Sequence, residues 1–256
     1  MPMQLGLVTY MWGAEWDLPT LIKNCEETGF AGLELRSTHK HGVEPSLSAE
    51  QRQEVAKRFM DSPVELVGLG SACEYHSPDP AVLKKQIEET KAFIHLCHDC
   101  GGSGVKVRPN ALPKEVPVEK TLEQIGRSLR EVAEYGQGYG VQIRLEVHGH
   151  GTGALPYIKT MMEAADHENA TVCWNCNPTD LDGDGLEHNF NLVKQYLGAT
   201  THIHDLISEY PWNDFFRLLK SVDYEGWTLL EEGSPPTEPI RVMKYYRALW
   251  DKMANS

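Results

Sequence analysis

The segment from Val141 to His148 alternates apolar and polar side chains, and this alternation is the feature that most constrains the fold. A period of two residues places successive side chains on opposite faces of a β-strand. One face is apolar, and the other carries Gln142, Arg144, Glu146 and His148. Such a strand packs its apolar face against helices and presents ionisable groups on the other.

Similar short segments recur along the chain, and stretches with helical periodicity separate them. We predict strands at residues 5–10, 32–36, 64–69, 105–108, 141–148, 170–174, 200–204 and 227–231. We predict helices at residues 18–28, 48–61, 80–100, 118–135, 186–197, 213–222 and 237–253, with one more that ends near residue 165.

Eight strands that alternate with helices predict a parallel sheet. The chain has 256 residues, and one (β/α)8 barrel typically has about 250. An open doubly wound sheet is the alternative, but no Gly-x-Gly-x-x-Gly loop follows the first strand. No linker, low-complexity run or clear repeat divides the sequence. We therefore predict a single (β/α)8 TIM barrel domain over residues 1–256.

The charge and the hydropathy of the chain exclude several classes of partner. The net charge is −13, and a field of that sign opposes binding to a nucleic acid backbone. No apolar run reaches the roughly 20 residues that a membrane helix needs, and no signal peptide is visible. We expect a cytoplasmic protein without nucleic acid or membrane partners, either a monomer or a homo-oligomer.

The cysteines raise the alternative of a structural zinc site. Two Cys-x-x-Cys pairs occur, at residues 97 and 100 and at residues 173 and 176. The first pair ends a predicted helix and the second ends a predicted strand, and these positions lie at opposite ends of a barrel. We therefore predict reduced thiols, as is typical of proteins in a reducing compartment.

Polar residues collect where the predicted strands end. In a (β/α)8 barrel these positions converge at one mouth. They are occupied by Glu34, Arg108, Glu146, His148, Asn175, His204 and Glu231, with His202 one layer deeper and Lys106 on the same strand face as Arg108. Any one of these residues could equally form a salt bridge or cap a loop. Carboxylates, a carboxamide and an imidazole on four consecutive strands instead favour a divalent-ion site for Mn²⁺, Mg²⁺, Co²⁺ or Zn²⁺.

One acidic motif resembles a calcium site. Residues 180–185 match the first half of an EF-hand loop, but Glu187 and Asn191 replace the aliphatic residue and the Glu that the loop requires. We predict an acidic surface loop there.

The whole chain resembles the xylose isomerase-like barrel superfamily of sugar isomerases and epimerases, which includes the tagatose and psicose 3-epimerases. The resemblance rests on short motifs in a fixed order. They are Gly29-Phe-Ala-Gly-Leu-Glu34-Leu, Arg144-Leu-Glu146-Val-His148, Val172-Cys-Trp-Asn175, Thr201-His-Ile-His204-Asp and Tyr224-Glu-Gly-Trp-Thr-Leu-Leu-Glu231.

The resemblance implies a metal-dependent enzyme. In such enzymes a Glu, an Asp, a His and a Glu on strands 5 to 8 hold the ion. The matching residues here are Glu146, Asn175, His204 and Glu231. Asn175 stands where the family has Asp, and Pro178 stands where a further His is expected. We expect Mn²⁺, with Mg²⁺, Co²⁺ or Zn²⁺ as alternatives.

The implied reaction on a sugar or sugar phosphate is proton transfer next to a carbonyl, through an enediolate. Glu146 and Glu231 are the expected catalytic residues, one removing a proton and the other returning it. The expected substrate-binding residues are Glu34, Lys106, Arg108, His148 and His202.

Three other functions remain open at this point. A lyase acting on a 3-keto-glycoside would use the same metal site and expel a leaving group. A metal-free sugar-binding barrel would account for Asn175. An AP endonuclease needs more His and Asp ligands, and the acidic net charge disfavours DNA.

Overall fold

The computed structural model describes residues 3–254, and the strands in this part form a closed barrel. The strands are β1 (Gln4–Val8), β2 (Gly32–Arg36), β3 (Glu65–Glu74), β4 (Gly104–Arg108), β5 (Gln142–Glu146), β6 (Ala170–Asn175), β7 (Leu197–Ile203) and β8 (Trp227–Leu230). Their order around the barrel is their order in the chain, and β8 pairs in parallel with β1. The predicted (β/α)8 TIM barrel is confirmed.

A helix follows each strand, and local sequence signals set where several of them begin and end. The helices are α1 (Leu18–Thr28), α2 (Ala49–Met60), α3 (Pro80–Cys100), α4 (Val118–Gln137), α5 (Leu155–Ala165), α6 (Gly185–Val193), α7 (Trp212–Ser221) and α8 (Pro239–Ala254). Asp17 accepts the Thr20 N–H at the start of α1, and Gly29 ends this helix with φ +79°. Ser48 and Gln51 form a capping box at the start of α2.

Contacts within the chain define two compact units, and residues 3–70, 99–102 and 199–254 form the first. It contains an apolar cluster in which Val8, Val67, Trp227 and Leu229 pack together. A Cβ atom on Gly32 would lie 2.5 Å from both the Trp227 ring and a Val67 methyl group. Only glycine therefore leaves room for the indole.

Residues 71–98 and 103–198 form the second unit, and its strands bury charged as well as apolar side chains. Arg144 on β5 is fully buried. Its Nε donates to Gln142 Oε1 at 3.0 Å, and its Nη2 donates to Ser103 Oγ at 2.9 Å. A Cβ on Gly104 would lie 2.3 Å from Arg144 Cζ, so this position also requires glycine. One of the polar side chains that alternate along the predicted strand, Arg144, is therefore a buried charged group.

Strand β3 is longer than the sequence predicts. The predicted strand ends at residue 69, because Gly70 and Ser71 resemble the start of a loop, whereas β3 continues to Glu74. Ser71 Oγ donates to the Lys106 carbonyl oxygen at 2.6 Å, which fastens this segment to β4. The extension depends on a residue distant in sequence, and it makes Glu74 a strand-end carboxylate.

The connection between α6 and β7 also differs from the prediction, which extends the helix to residue 197. The α-helix ends at Val193, and a single 3₁₀ turn, Lys194–Tyr196, follows it. Such turns commonly tighten the end of an α-helix. As a result β7 begins at Leu197, three residues before the predicted start.

The acidic loop is only partly a surface feature. Asp182 and Asp184 are exposed, but Asp180 is fully buried. The Asp180 carboxylate accepts the Asn177 N–H at 2.9 Å, and Asn189 Nδ2 donates to the Asp180 carbonyl oxygen at 2.9 Å. The predicted surface loop is therefore wrong for Asp180, whose carboxylate caps a 3₁₀ turn instead.

The six cysteines are buried thiols. Cys97 Sγ donates to the Gly104 carbonyl oxygen at 3.3 Å, and burial raises the pKa of the Cys100 thiol to about 11. Between residues 3 and 254, none of the helices combines the length and the apolar character needed to cross a membrane.

Candidate active site

The predicted site residues lie at or near the carboxyl ends of their strands. Glu34 is on β2, Lys106 and Arg108 are on β4, Glu146 and Asn175 end β5 and β6, and His202 is on β7. His204 and Glu231 follow β7 and β8 by one residue, and His148 follows β5 by two. Active sites of (β/α)8 barrels are built at this end of the strands.

Strands β4, β5 and β6 supply a charge-balanced cluster of Lys106, Glu146 and Asn175, which we call the Glu146 group. Lys106 Nζ donates to Glu146 Oε2 at 2.6 Å, and both side chains are 2% exposed. Asn175 Nδ2 donates to the other oxygen, Glu146 Oε1, at 3.0 Å. Each oxygen of the Glu146 carboxylate thus accepts a hydrogen bond from a buried donor.

Asn177 fixes the chain at the end of this group. Its Nδ2 donates to the Val147 carbonyl oxygen at 2.8 Å and to the Asn175 carbonyl oxygen at 2.6 Å. One side chain therefore ties the end of β5 to the end of β6. Asn177 is not among the predicted site residues, although an Asn two positions after a strand is a common loop-capping signal.

Strands β2, β7 and β8 supply a second cluster, Glu34, His202 and Glu231, which we call the His202 group. His202 Nε2 lies 3.4 Å from Glu34 Oε1, and His202 Nδ1 lies 3.5 Å from Glu231 Oε2. The Glu34 and His202 side chains are buried, and the Glu231 side chain is 11% exposed. One imidazole therefore lies between two carboxylates.

Glu34 is under-satisfied in hydrogen bonding. Neither of its carboxylate oxygens accepts a hydrogen bond from any described residue, although the residue is fully buried. Buried polar atoms are normally hydrogen-bonded, and the exceptions tend to occur where a ligand binds. This observation supports the prediction that Glu34 binds a substrate hydroxyl group.

The His204 ring is held by the backbone. Its Nδ1 lies 2.5 Å from the Glu231 carbonyl oxygen, and Tyr246 on α8 donates its hydroxyl to the His204 carbonyl oxygen at 2.7 Å. Because a carbonyl oxygen only accepts, Nδ1 carries the proton in this contact. In the neutral ring Nε2 is then the acceptor nitrogen, as in most metal-binding histidines.

The donor set suits a divalent ion. Within the His202 group, one imidazole lies 3.4 Å from the Glu34 carboxylate and 3.5 Å from the Glu231 carboxylate. Carboxylate oxygens with an imidazole nitrogen fit Mn²⁺, Zn²⁺ or Co²⁺. This set contains His202, whereas the sequence predicts His204 as the imidazole ligand. The assignment of the imidazole ligand and of Asn175 therefore stays a prediction.

Arg108 has a partner that the sequence analysis missed. Its Nη2 lies 2.6 Å from Glu74 Oε1, and His76 Nδ1 lies 3.6 Å from the other Glu74 oxygen. Because the predicted strand 3 ended at residue 69, Glu74 was assigned to a loop rather than to a strand end. The partly buried Arg108 guanidinium is thereby held on β4 beyond Lys106.

Glu232 is a second carboxylate that the sequence analysis missed. It is partly buried, and burial raises the pKa of its carboxyl group, with repulsion from Asp205 and Glu231 adding to the shift. The sequence signal that could have identified Glu232 is its position directly after Glu231.

Comparisons with known proteins identify the relatives of this chain. A family model described as a xylose isomerase-like TIM barrel matches residues 22–249. A D-psicose 3-epimerase of Ruminiclostridium cellulolyticum is 25% identical, over 90% of this chain and 83% of that protein. An inosose isomerase of Bacillus velezensis is 23% identical over 58% of this chain and 51% of that protein, so this match spans about half of its length.

A solved structure extends the likeness to the whole barrel. The crystal structure of the IOLI protein with a bound zinc atom has a TM-score of 0.76 and 15% identity, over 98% of this chain and 96% of that chain. At this identity the likeness shows the fold alone. Because the family model matches most of the sequence, the chain belongs to the xylose isomerase-like TIM barrel family.

Proposed function

We propose that this protein is a carbohydrate isomerase or epimerase that transfers a proton at a carbon next to a sugar carbonyl. The observation that carries the proposal is that ionisable side chains are buried at the strand ends of a member of this family, with Glu146 paired to Lys106 and His202 between the carboxylates of Glu34 and Glu231. The D-psicose 3-epimerase and inosose isomerase relatives support the carbohydrate class of substrate.

We propose a divalent ion as cofactor, with Mn²⁺ as the expected ion and Mg²⁺, Co²⁺ or Zn²⁺ as alternatives. Its proposed ligands are Glu146, Asn175, His204 and Glu231. The zinc atom in the related barrel and the carboxylates and imidazole of the His202 group support a metal. When bound, the ion would polarise the sugar carbonyl and stabilise the charge that develops on its oxygen.

The chain's own residues would move the proton and hold the sugar. Glu146 and Glu231 are the proposed acid and base: one carboxylate would remove a proton from one face of the bound sugar, and the other, in its protonated form, would deliver a proton to the opposite face. The Glu34 carboxylate can accept hydrogen bonds from sugar hydroxyl groups. The other proposed substrate-binding residues are Lys106, Arg108, His148 and His202.

The test is an assay of chelator-treated protein with ketohexoses and inososes, with and without added Mn²⁺. We expect an isomer or epimer of unchanged mass, formed only when a divalent ion is present. Release of an aglycone from a 3-keto-glycoside would replace this proposal with the lyase. Tight sugar binding without any product would replace it with a binding protein.

A further inference from the structure

We propose that Lys106 is a positioning residue that competes with the divalent ion for the Glu146 carboxylate. The inference rests on the proposed function, because it concerns the same metal site. The ammonium group holds Glu146 in place when the ion is absent, and the ion binds by taking over the oxygen that Lys106 occupies.

The geometry indicates that Lys106 is a fixed partner of Glu146. Lys106 Nζ lies 2.6 Å from Glu146 Oε2, with both side chains 2% exposed. The strand pairing of β4 with β5 sets Lys106 opposite Arg144, two residues before Glu146. The Ser71 hydroxyl donates to the Lys106 carbonyl oxygen and fixes the backbone from which the ammonium reaches. A buried carboxylate without such a partner is strongly unfavourable.

The second oxygen of Glu146 is also engaged. Asn175 Nδ2 donates to Oε1 at 3.0 Å. A divalent ion therefore meets a carboxylate whose two oxygens each already accept a hydrogen bond from a buried donor, and it competes with these donors for the negative charge. Asn175 is neutral, so displacing it would not change the charge near the ion. Displacing Lys106 would move its positive ammonium group away from the positive ion.

Electrostatics sets the direction of the effect. Lys106 contributes one positive charge beside a ligand of a dication, and like charges close together in a buried site repel strongly. Retaining Lys106 thus weakens metal binding, and it makes the ion exchangeable. Removing the charge while keeping a hydrogen-bond donor should tighten metal binding.

The experiment is a calorimetric titration of chelator-treated protein with MnCl₂. We expect Lys106→Gln, which keeps an N–H donor but loses the charge, to bind Mn²⁺ about tenfold more tightly than the wild type. The matched control is Arg108→Gln, which removes one charge from the same strand beside Glu74 and should shift the affinity much less.

Two results would overturn the inference. The first is a Mn²⁺ affinity of Lys106→Gln within about twofold of that of the wild type. The second is an equal gain in Mn²⁺ affinity in Arg108→Gln, which would show a general charge effect. A crystal structure of the wild type with Mn²⁺ tests the same point without any variant. Lys106 should then lie beyond hydrogen-bond distance of the oxygen that binds the ion, and an unbroken contact there would contradict the proposal.

Glu146→Gln separates the two proposals. If this variant binds Mn²⁺ as tightly as the wild type does, the proposed metal site itself fails. If it loses Mn²⁺ binding while Lys106→Gln matches the wild type, the role of Lys106 alone fails.

Discussion

The Glu146 group and the His202 group differ in how their charge is balanced. In the first, a buried ammonium lies 2.6 Å from the carboxylate, and an amide donates to its other oxygen. In the second, one imidazole lies 3.4 Å from one carboxylate and 3.5 Å from another. The charges of the first group sum to zero. In the second group, the two negative charges of the carboxylates exceed the single positive charge that a protonated imidazole supplies.

This difference suggests that the two groups have different needs. A carboxylate with two fixed donors, one of them a cation, is held in place by the protein's own residues. Two carboxylates that share one imidazole gain most from additional positive charge or from hydroxyl donors. We therefore expect the Glu146 group to be ordered before a ligand binds, and the His202 group to gain most in charge balance from a bound ion and sugar.

The largest expected effect tests whether both groups serve one reaction. Replacing Glu146 or Glu231 with Gln should each lower kcat about 10²- to 10⁴-fold, since each variant removes a group that transfers a proton. The measurement is the rate of epimer formation at saturating substrate and metal. A rate near that of the wild type in either variant would assign catalysis to one group alone.

The next effect concerns the balanced charge of the Glu146 group. Lys106→Met should lower the free energy of unfolding by about 3–5 kcal/mol in metal-free protein, because it leaves a buried carboxylate without its cation. The matched control is Lys244→Met, whose pair with Glu27 is about half exposed, and this change should cost less than about 1 kcal/mol. Urea unfolding of both variants gives the comparison, and equal losses would contradict it.

A pH effect arises in the loop that follows β2, the strand of Glu34. His41 Nε2 lies 2.8 Å from the Arg36 carbonyl oxygen, and its Nδ1 accepts the Val43 N–H at 3.0 Å. Burial lowers the pKa of His41 from 6.5 to about 4. The neutral ring is required, because protonation of Nδ1 would break the contact with Val43.

The sign of this effect follows from the direction of the shift. The unfolded chain takes up the proton first, so stability is lost as the pH falls from 6.5 towards about 4. The loss attributable to His41 is about 3 kcal/mol. Unfolding free energies across this range should fall less steeply in His41→Gln than in the wild type. Parallel curves for the two proteins would rule out this role.

The smallest effect concerns the space around Glu34. A Cβ on Gly70 would lie 3.1 Å from Glu34 Oε1 and 3.4 Å from Arg36 Cα. Gly70→Ala should therefore displace the Glu34 carboxylate slightly, at a cost within about 1 kcal/mol of stability. We expect a raised KM for the sugar with little change in kcat. An unchanged KM would argue against Glu34 as a substrate-binding residue.

The barrel could be predicted from the sequence because its signals are local. The alternation along residues 141–148 and the capping box at Ser48 each depend on near neighbours, and both have the expected structure. The same alternation put Glu146 on the polar face of its strand. Strand ends in a parallel barrel then gather the candidate residues without any knowledge of their partners.

The partners themselves could not be predicted, because they depend on distant residues. Lys106 has a long flexible side chain, and nothing in its own strand indicates that it pairs with Glu146, 40 residues away. The end of β3 depends on Ser71 meeting the backbone of β4, and the burial of Asp180 depends on Asn177 and Asn189. In each case a contact between elements overrides the local pattern.

The most direct test of the account is to run the reaction in D₂O and locate deuterium in the product by mass spectrometry. Proton transfer through Glu146 and Glu231 predicts one deuterium on the carbon whose configuration changes, and far less of this labelled epimer from either Gln variant. A product formed at the full rate without deuterium at that carbon would contradict the account.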